Sequence, residues 1–442
     1  MPFEKLKELI DSKQAVVGIC GLGYVGLPLA AATGRAGFKV IGFDINADYV
    51  GELNEGRSMI GAVSDEELAG LTGSGALRVT TDFSLQADCD VIIICVPTPL
   101  DHDREPDLHY VEATTETIAD SLRPGQLIVL ESTTYPGTTS EVLQVILERG
   151  GLKSGEDFYV GFSPEREDPG NVRFDTVTIP KVVSGEGAEA LTLTAAFYSL
   201  VVSEVVPVSN TSTAEAVKLT ENIFRAVNIA LVNELKVIYD AMGIDIWEVV
   251  DAAKTKPFGF MPFYPGPGLG GHCIPIDPFY LAWKARQHGK EASFIELAGE
   301  INVSMPQYVI NRLAEALKSR FGKELAGAKV LLVGMAYKRD VSDMRESPSL
   351  MLMRLLQAGG AEVSYHDPHV PVIPATREYP ELADIGSVEL SSDVLAGHDA
   401  VLIATDHGEV DYALIADQAT LIIDSRNVIE RHGLPMDKVV KA

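Results

Sequence analysis

The segment AVVGICGLGYVGLPLAAATGRAGFKVIGFD, residues 15–44, decides the fold of the first part of this 442-residue chain. An apolar run leads into the turn GLGYVG (residues 21–26), which is followed by a helical pattern and by a second apolar run that ends at Asp44. A GxGxxG turn between a strand and a helix is typical of dinucleotide-binding domains, because its glycines let the backbone approach a pyrophosphate. The alternative is a tight turn that binds no ligand.

The position of Asp44 indicates which dinucleotide this turn would bind. Asp44 lies 23 positions after Gly21, where a carboxylate at the end of the second strand can accept hydrogen bonds from ribose hydroxyls. No Arg or Lys follows nearby to bind a 2′-phosphate. The sequence therefore predicts a site for NAD and not for NADP.

Three further apolar runs, DVIIICVP, QLIVLEST and DFYVGFSP, continue the alternation of strands and helical patterns. Near-continuous apolar strands predict a parallel sheet that is covered on both faces. The turns VPTP (96–99) and STTYPGTT (132–139) would lie at the carboxyl edge of this sheet, where ligands bind, so Thr98 and Thr133 are candidates for lining the cofactor. The segment SPERE follows the apolar run DFYVGF and would lie at the same edge. Alternatively, it begins a helix of which Ser163 is the N-cap.

The middle region begins with the long helical pattern STAEAVKLTENIFRAVNIALVNELKVIYDAMG. Ser212 and Glu215 predict a capping box at its start and Gly243 a C-cap at its end, so about 30 residues would form one helix of ~45 Å. This helix is apolar over much of its circumference, which predicts a homodimer or higher homo-oligomer. Lys218 and Asn222 share one face, where they could hold a substrate hydroxyl or form a solvated surface.

The last region, which starts near Ala328, repeats the strand, loop, helix and strand of the first, in AKVLLVGMAY, SPSLMLMRLLQAGG and AEVSYHDP. Further strands are predicted at AVLIAT and TLIIDS. The segment YKRDVSDMRESPS places Lys338, Arg339 and Arg345 just before a helix, and Arg426 follows the last of these strands. Basic groups at strand ends and at a helix start predict an anion site, with a solvated run of charges as the alternative.

These patterns together predict an α/β protein with two Rossmann-like, doubly wound domains joined by a long central helix. The expected division is an NAD-binding domain at 1–209, a helical domain with the catalytic loop at 210–305, and a second nucleotide-type domain at 306–442.

The loop YPGPGLGGHCIPIDP (residues 264–278) places Cys273 among glycines and prolines. A thiol beside such a loop is either a nucleophile or a buried packing residue. Asp277 is either the N-cap of the helix that follows or a site residue four positions from the cysteine. His272 adjoins Cys273, but neighbours in an extended segment point to opposite sides, so a Cys/His dyad is not expected.

Composition excludes several classes of protein. The net charge of -27 argues against a nucleic-acid partner, which requires a basic face. The four cysteines form no CxxC pair, so neither a disulfide framework nor a metal site is expected. No apolar run approaches the roughly 18 residues needed to span a membrane, and the acidic, amphipathic N-terminal segment does not resemble a signal peptide. We therefore expect a cytoplasmic protein.

The ordered motifs GLGYVGLPLA, VPTP, the ST turn, SPE, KLTEN, GGHCIPIDP and KRDVSDMRESPS resemble those of the nucleotide-sugar 6-dehydrogenases, the family of UDP-glucose 6-dehydrogenase, across nearly the whole chain. The form KPFGFMPFYPGPGLGGHCIPIDP most resembles the branch that acts on UDP-N-acetylglucosamine and related N-acetylhexosamines in bacterial polysaccharide synthesis. UDP-glucose enzymes commonly carry a lysine between the cysteine and the aspartate, where this chain has Ile276. Those enzymes also contribute an arginine to the neighbouring subunit's site, for which Lys256 is the nearest basic residue here.

This resemblance implies a two-step, four-electron oxidation of the C6 hydroxymethyl group of a UDP-sugar by two NAD molecules. It implies that Cys273 captures the aldehyde as a thiohemiacetal, which is oxidised to a thioester and then hydrolysed. Lys218 and Asn222 would stabilise oxyanions, while Asp277 and Glu165 would manage protons and water with Thr133.

The predicted sites follow from these motifs and from the resemblance. The predicted catalytic residues are Thr133, Glu165, Lys218, Asn222, Cys273 and Asp277. The predicted cofactor-binding residues are Gly21, Gly23, Tyr24, Val25, Gly26, Asp44, Pro97, Thr98, Ser132, Thr133 and Arg345. The predicted substrate-binding residues are Glu165, Arg166, Lys218, Asn222, Lys256, Phe263, Tyr264, Gly266, Gly268, Gly270, Lys338 and Arg426.

Several alternatives remain at this stage. The sugar could be UDP-glucose, UDP-N-acetylmannosamine or UDP-N-acetylgalactosamine. Single-step β-hydroxyacid dehydrogenases share a Rossmann domain, a long helix and a Lys-x-x-x-Asn pair, but they need neither the cysteine nor a second nucleotide domain. A non-catalytic NAD-binding protein is the alternative from another class.

Overall fold

The computed structural model describes residues 2–101, 105–166, 175–271, 276–376 and 378–442. The chain divides into two units: the first contains Met1–Glu221 and Phe279–Glu291, and the second contains Asn222–Pro278 and Ala292–Ala442. Among the described residues, none of the helices combines the length and hydrophobicity needed to cross a lipid bilayer.

The first unit contains one eight-stranded sheet. Its strands are β1 (Val16–Cys20), β2 (Lys39–Phe43), β3 (Leu77–Thr80), β4 (Val91–Ile94), β5 (Leu127–Leu130), β6 (Tyr159–Phe162), β7 (Lys181–Gly185) and β8 (Val205–Pro207). Its helices are α1 (Pro2–Asp11), α2 (Gly26–Arg35), α3 (Ala47–Asn54), α4 (Asp65–Gly73), α5 (His109–Ser121), α6 (Gln144–Leu147) and α7 (Ala188–Ser199). A π-turn covers Thr139–Leu143, and 3₁₀ turns cover Phe83–Asp88 and Glu148–Gly150.

The strand order β3-β2-β1-β4-β5-β6-β7-β8 confirms a doubly wound sheet, with buried apolar clusters on both faces. The expectation of an all-parallel sheet is wrong at one pair, because β6 and β7 are antiparallel. A parallel pair needs a crossover connection, usually a helix, and the described parts of the segment between β6 and β7 contain none.

Helix α8 (Thr211–Ala241) runs for 31 residues, as the sequence predicts, and Gly243 follows its end with a φ of +70°. The predicted capping box is wrong. Asn210 caps the helix instead, since its Oδ1 accepts a hydrogen bond from the backbone N–H of Thr213 at 2.8 Å. The Glu215 carboxylate accepts the N–H groups of Gly137 at 2.6 Å and Thr139 at 2.9 Å, and therefore stabilises the ST turn.

The second unit contains a five-stranded parallel sheet of order β10-β9-β11-β12-β13. Its strands are β9 (Lys329–Val333), β10 (Glu362–His366), β11 (Ala400–Ile403), β12 (Ile422–Asp424) and β13 (Val439–Lys441). The remaining helices of the chain are α9 (Ile246–Ala253), α10 (Asp277–Gln287), α11 (Ser293–Phe321), α12 (Pro348–Ala358), α13 (Ser392–Ala396), α14 (Tyr412–Gln418) and α15 (Val428–Arg431), and α10 belongs to the first unit from Phe279 onward. The predicted second Rossmann-like sheet is therefore present, with apolar clusters on both faces.

Candidate active site

The GLGYVG turn connects β1 to α2, and its shape requires glycine where the backbone closes on itself. A Cβ atom on Gly26 would lie 1.8 Å from the carbonyl oxygen of Gly21, which itself has a φ of +88°. Apart from Gly23 itself and its two chain neighbours, no atom of the described residues lies within 4 Å of a Cβ position on Gly23. The turn therefore leaves open space at the start of α2, where backbone N–H groups and the helix dipole favour a pyrophosphate. Tyr24 and Val25 complete this turn, and Tyr24 is exposed.

The Asp44 carboxylate is held directly beside this turn. Its Oδ2 accepts a hydrogen bond from the backbone N–H of Leu22 at 3.1 Å, and its Oδ1 accepts one from Asn46 at 3.0 Å. The hydroxyl of Tyr49 donates to the carbonyl of Leu22 at 2.8 Å. Burial, together with the charge of Asp44, raises the pKa of Tyr49 to about 12, so this hydroxyl remains a donor at neutral pH. These contacts fix the Asp44 carboxylate beside the GLGYVG turn, and its role in binding a ribose remains a prediction.

The VPTP and ST turns lie at the same sheet edge of the first unit. A Cβ atom on Gly21 would be 2.7 Å from the carbonyl oxygen of Cys95, which precedes VPTP. The hydroxyl of Ser132 donates to the carbonyl of Val96 at 2.7 Å and so joins the two turns. Pro97 is exposed, Thr98 is buried and Thr133 is half-buried. The predicted cofactor residues of the first unit therefore follow neighbouring strands of one sheet edge.

Glu165 and Lys218 are in contact within the first unit. The ammonium group of Lys218, which is buried, donates to the backbone carbonyl of Glu165. Residues 163–166 form no helix, so the interpretation of Ser163 as an N-cap is wrong, and its hydroxyl instead donates to the carbonyl of Val182 at 2.8 Å. This hydrogen bond holds the SPE segment against β7.

Arg166, a predicted substrate residue, forms an ion pair with Glu221 at 2.6 Å and donates to the carbonyl of Pro180 at 2.6 Å. These contacts hold Arg166 against α8 and the start of β7. A role in substrate binding remains a prediction.

Asn222 and Asp277 are joined by a hydrogen bond within the second unit. The side-chain amide of Asn222 donates to Oδ2 of Asp277 at 2.5 Å, and both residues are almost fully buried. Asp277 is the first residue of α10, and Asn222 lies on α8 four residues after Lys218. Two predicted catalytic residues that are far apart in sequence are therefore adjacent in the fold.

The loop that leads to Cys273 is anchored by two buried asparagines. The side-chain oxygen of Asn233, on α8, accepts the N–H of Gly266 at 3.0 Å, and its amide donates to Asn302 at 2.9 Å. Asn302, on α11, donates in turn to the carbonyl of Ala226 at 3.0 Å. Sequence reasoning did not find these two residues, because asparagines within long helices carry no local signal of such contacts.

Packing explains part of the glycine content of this loop. A Cβ atom on Gly270 would lie 2.7 Å from the Cβ of Tyr337, and one on Gly268 would lie 3.0 Å from the Cβ of Pro348. These glycines thus allow the loop to pack closely on the residues around the start of α12. Contact of these glycines with a substrate remains a prediction.

Arg426 lies against the same loop. A Cβ atom on Gly266 would be 2.6 Å from its Nη1, and its Nε donates to the carbonyl of Ala404 at 2.7 Å. Burial lowers the pKa of Arg426. Among the described residues, its guanidinium forms no ion pair with a carboxylate. A largely buried guanidinium without an ion-pair partner is suited to binding an anionic ligand.

The remaining basic candidates of the second unit occupy varied environments. Lys338 is half-buried in the loop after β9. Arg345 is exposed and forms an ion pair with Asp343 at 2.7 Å. Lys256 lies over the ring of Phe258, 5.1 Å from its centroid.

Phe263 and Tyr264, the two aromatic residues predicted to bind substrate, also make structural contacts. Phe263 packs edge-on against Phe224 of α8, with 5.7 Å between ring centroids. The hydroxyl of Tyr264 donates to Asp251 at 2.6 Å. These contacts hold the segment before the glycine-rich loop in place.

Asp340, His369 and His407 form a cluster that sequence reasoning did not find, with ligand-type atoms within 4.8 Å of one another. Both ring nitrogens of His407 are engaged: Nδ1 accepts the N–H of Asp340 at 3.0 Å, and Nε2 lies 3.1 Å from Asp367. The cluster therefore connects three loops at the carboxyl edge of the second sheet.

His272 and Cys273 lie outside the described residues, between Gly271 and Ile276. Gly271 is tied to the loop after β9, since its N–H donates to the carbonyl of Arg345 at 3.0 Å. The residue that precedes the segment containing the cysteine is therefore held by a backbone hydrogen bond.

The sequence matches models of one known protein family over most of its length. Three models of the UDP-glucose/GDP-mannose dehydrogenase family match the chain: the NAD binding domain at residues 15–201, the central domain at 212–304 and the UDP binding domain at 331–431. The chain belongs to this family. It is an NAD-dependent oxidoreductase of nucleotide sugars, and the GLGYVG turn and Asp44 lie in its NAD binding domain.

Individual relatives extend over nearly the whole chain. A UDP-N-acetyl-D-glucosamine 6-dehydrogenase from Pseudomonas aeruginosa is 37% identical over 90% of this chain and 92% of its own. A UDP-N-acetyl-D-mannosamine dehydrogenase from Pyrococcus horikoshii is 34% identical over 94% of this chain and 96% of its own. A solved structure of the UDP-D-ManNAc dehydrogenase of Pyrococcus horikoshii has a TM-score of 0.85 and covers 94% of this chain and 96% of that chain.

Replacing Asp44 with Ala should weaken NAD binding by about 1–3 kcal/mol, because the ribose loses a charged hydrogen-bond acceptor. Isothermal titration calorimetry with NAD and with a UDP-sugar measures both affinities. Asp48→Ala is the matched control, since Asp48 is an exposed carboxylate in the next helix. Unchanged NAD affinity in Asp44→Ala would remove this residue from the cofactor site.

Replacing Arg426 with Ala should raise the KM for the UDP-sugar about tenfold or more while leaving the KM for NAD nearly unchanged, because a charged hydrogen bond to phosphate is lost. Arg431→Ala is the control, since Arg431 already pairs with Asp406 at 2.5 Å. Steady-state kinetics with each substrate varied in turn measures both constants. A change confined to NAD would assign Arg426 to the other ligand.

Proposed function

We propose that this enzyme oxidises the C6 hydroxymethyl group of a UDP-N-acetylhexosamine to the carboxylate, with UDP-N-acetylglucosamine as the preferred substrate. The observation that carries the mechanism is the buried hydrogen bond between Asn222 and Asp277. It places the start of α10, four residues after Cys273, against the long helix. Cys273 precedes Asp277 by four residues in the sequence, and a cysteine that acts together with a carboxylate and a carboxamide is suited to covalent catalysis.

The reaction consumes one sugar, two NAD and one water, and it yields the uronate, two NADH and three protons. NAD supplies the hydride acceptor for both oxidations. The alcohol loses a hydride and its hydroxyl proton to become an aldehyde, and the Cys273 thiol adds to this carbonyl as a thiohemiacetal. Loss of the second hydride and a proton gives a thioester. Water then breaks the bond between carbon and sulfur, releasing the carboxylate and the free thiol.

The other proposed residues stabilise charge and transfer protons in these steps. The Lys218 ammonium and the Asn222 amide stabilise the oxygen at C6 when it carries negative charge. Glu165 and Asp277 accept and return protons, and Glu165 with Thr133 activates the hydrolytic water. Because Cys273 must remain a free thiol, we propose a reducing, cytoplasmic compartment. Cys20, Cys89 and Cys95 are likewise free thiols.

The choice of sugar rests on similarity. The Pseudomonas aeruginosa relative is a UDP-N-acetyl-D-glucosamine 6-dehydrogenase, and the Pyrococcus horikoshii relative is a UDP-N-acetyl-D-mannosamine dehydrogenase. Ile276 stands where UDP-glucose enzymes commonly have lysine, which argues against UDP-glucose. A pocket discriminates such groups by about 1–3 kcal/mol, so weak activity on related sugars is expected.

We further propose that a second copy of the chain packs on an apolar stripe of α8. Phe224, Leu231 and Ile238, at intervals of seven residues, are exposed by 47%, 50% and 46%. On another face of this helix Val232 packs with Trp247 of α9. An apolar stripe of this spacing is typical of a helix that pairs with another helix.

The wild-type enzyme should release two NADH for each UDP-N-acetylglucosamine consumed, and should do so faster than with UDP-glucose or with the manno and galacto epimers. Cys273→Ser should bind both ligands yet turn over very slowly, because a serine ester is poorly formed and poorly hydrolysed. Absorbance of NADH against consumed sugar measures the stoichiometry, and mass spectrometry of enzyme quenched during turnover detects the sugar adduct on the Cys273 peptide.

Cys95→Ser is the matched control, since Cys95 is a free thiol whose pKa is raised by burial. It should retain the stoichiometry of two. Two NADH per sugar at the wild-type rate from Cys273→Ala would refute the covalent mechanism, and a clear preference for UDP-glucose would refute the proposed substrate.

The double variant Leu231→Glu/Ile238→Glu should shift the enzyme toward monomers, because two carboxylates in an apolar helix contact would be desolvated without partners. Light scattering after size-exclusion chromatography measures the mass. Val145→Glu is the control, since Val145 is an exposed apolar residue of another helix. A wild-type enzyme that is fully active as a monomer would contradict this proposal.

A further inference from the structure

A buried group of charges lies behind Glu165 in the first unit. The ammonium of Lys181 lies 2.8 Å from Oε2 of Glu131 and 3.3 Å from Oε2 of Glu165. The side chains of Lys181, Glu131 and Glu165 are exposed by only 5%, 0% and 11%. The hydroxyl of Tyr198, on α7, donates to the other oxygen of Glu131. One lysine is therefore shared by two buried carboxylates.

The antiparallel pairing of β7 explains how this group forms. Gly161 pairs with Gly185 and Phe162 with Ser184. Continued in the same register, residue 165 faces residue 181. Glu131 directly follows β5, the neighbour of β6. A lysine at the first position of β7 thus lies beside the ends of two strands that run the opposite way.

We propose that Lys181, Glu131 and Tyr198 form a positioning network that holds the Glu165 carboxylate ionised and in a fixed orientation for its proposed role in the reaction. The inference rests on the proposed function and assigns these three residues no contact with the substrate. Lys181 holds the carboxylate end of Glu165, while Lys218 holds its backbone carbonyl. Tyr198 and Lys181 together hold Glu131.

The electrostatics of the group support this assignment. Burial by itself would lower the pKa of Lys181, but Glu131 and Glu165 outweigh burial and the pKa lies above its ordinary value. Lys181 therefore remains charged. Burial raises the pKa of Glu131, and Lys181 opposes that rise. Removal of the shared cation should then allow a proton to bind to a carboxylate of the pair.

The other ionisable groups around Glu165 are the same in all the variants compared below. Burial raises the pKa of the Cys95 thiol, at the end of β4, so the thiol stays neutral. Burial likewise raises the pKa of Tyr198. Lys218 on α8 and the ion pair of Arg166 with Glu221 are present in every variant considered below.

The test compares two substitutions with opposite expected effects on the pH dependence of kcat. Lys181→Met removes the cation, so the acidic limb that requires ionised Glu165 should move to higher pH by about one to three units. Glu131→Gln removes the competing carboxylate, so the same limb should move to lower pH. Lys181→Arg retains the charge and should restore the limb toward its wild-type position. The acidic limb that reports Glu165 is the one that disappears from the pH dependence of kcat in the variant Glu165→Gln.

Lys39→Met is the matched control, since Lys39 is the exposed first residue of β2 in the same sheet. It should leave the profile unchanged. If Lys181→Met does not fold, the double variant Lys181→Met/Glu131→Gln removes both charges together and avoids an uncompensated buried carboxylate. Its limb should still move upward, because the buried Glu165 carboxylate loses the ammonium group that lies 3.3 Å from it.

Two outcomes would overturn the network proposal: a fall in kcat with the limb unmoved, or movement of the limb in the same direction in Lys181→Met and Glu131→Gln. If the wild-type enzyme oxidised no UDP-sugar, the proposed function would fail separately. The infrared carboxyl band that is lost in Glu165→Gln would still report the ionisation of Glu165. Its titration in Lys181→Met should then show the same upward shift, and an unshifted titration would refute the network.

Discussion

Parallel pairing of β-strands is the constraint on which both candidate sites depend. Strands that run the same way end at one edge of the sheet, so the loops that follow them meet there. In the first unit this edge carries the GLGYVG turn, the VPTP turn, the ST turn and the SPE segment. In the second unit it carries the loops that contain Lys338, Asp367 and Arg426. Each sheet therefore concentrates polar and charged groups at one edge, next to a largely apolar interior.

The two units use a carboxylate after their second strand in different ways. Asp44 follows β2 and accepts one N–H from the glycine turn, at Leu22. Asp367 follows β10 and accepts the N–H groups of both Met335 and Ala336 while also contacting His407. Although burial opposes it, these donors lower the pKa of Asp367 to about 2. The first carboxylate is suited to a ligand, whereas the second is committed to holding its own loops.

Several buried carboxyl groups in this enzyme accept hydrogen bonds from backbone or side-chain donors. Glu215 satisfies two N–H groups of the ST turn, and burial raises its pKa to about 7. Glu131 and Glu165 share one lysine. Removing one partner from such a group leaves an uncompensated charge, which costs far more than the pair contributes. These contacts thus hold together segments of the edge on which the proposed chemistry depends.

The sequence by itself determined the elements and most of the candidate residues, because hydrophobic periodicity, glycine turns and motif spacing are local properties. It predicted the first strands of both sheets, the long helix α8 and the position of Asp44 beside the GLGYVG turn. The tertiary structure alone decided which distant residues meet. Glu215 stabilises the ST turn instead of capping its own helix, and Lys181 reaches Glu165 because β7 runs antiparallel to β6. Asn222 contacts Asp277, and Asn233 anchors Gly266. Contacts of this kind depend on strand direction and register and on helix packing, which no local pattern encodes.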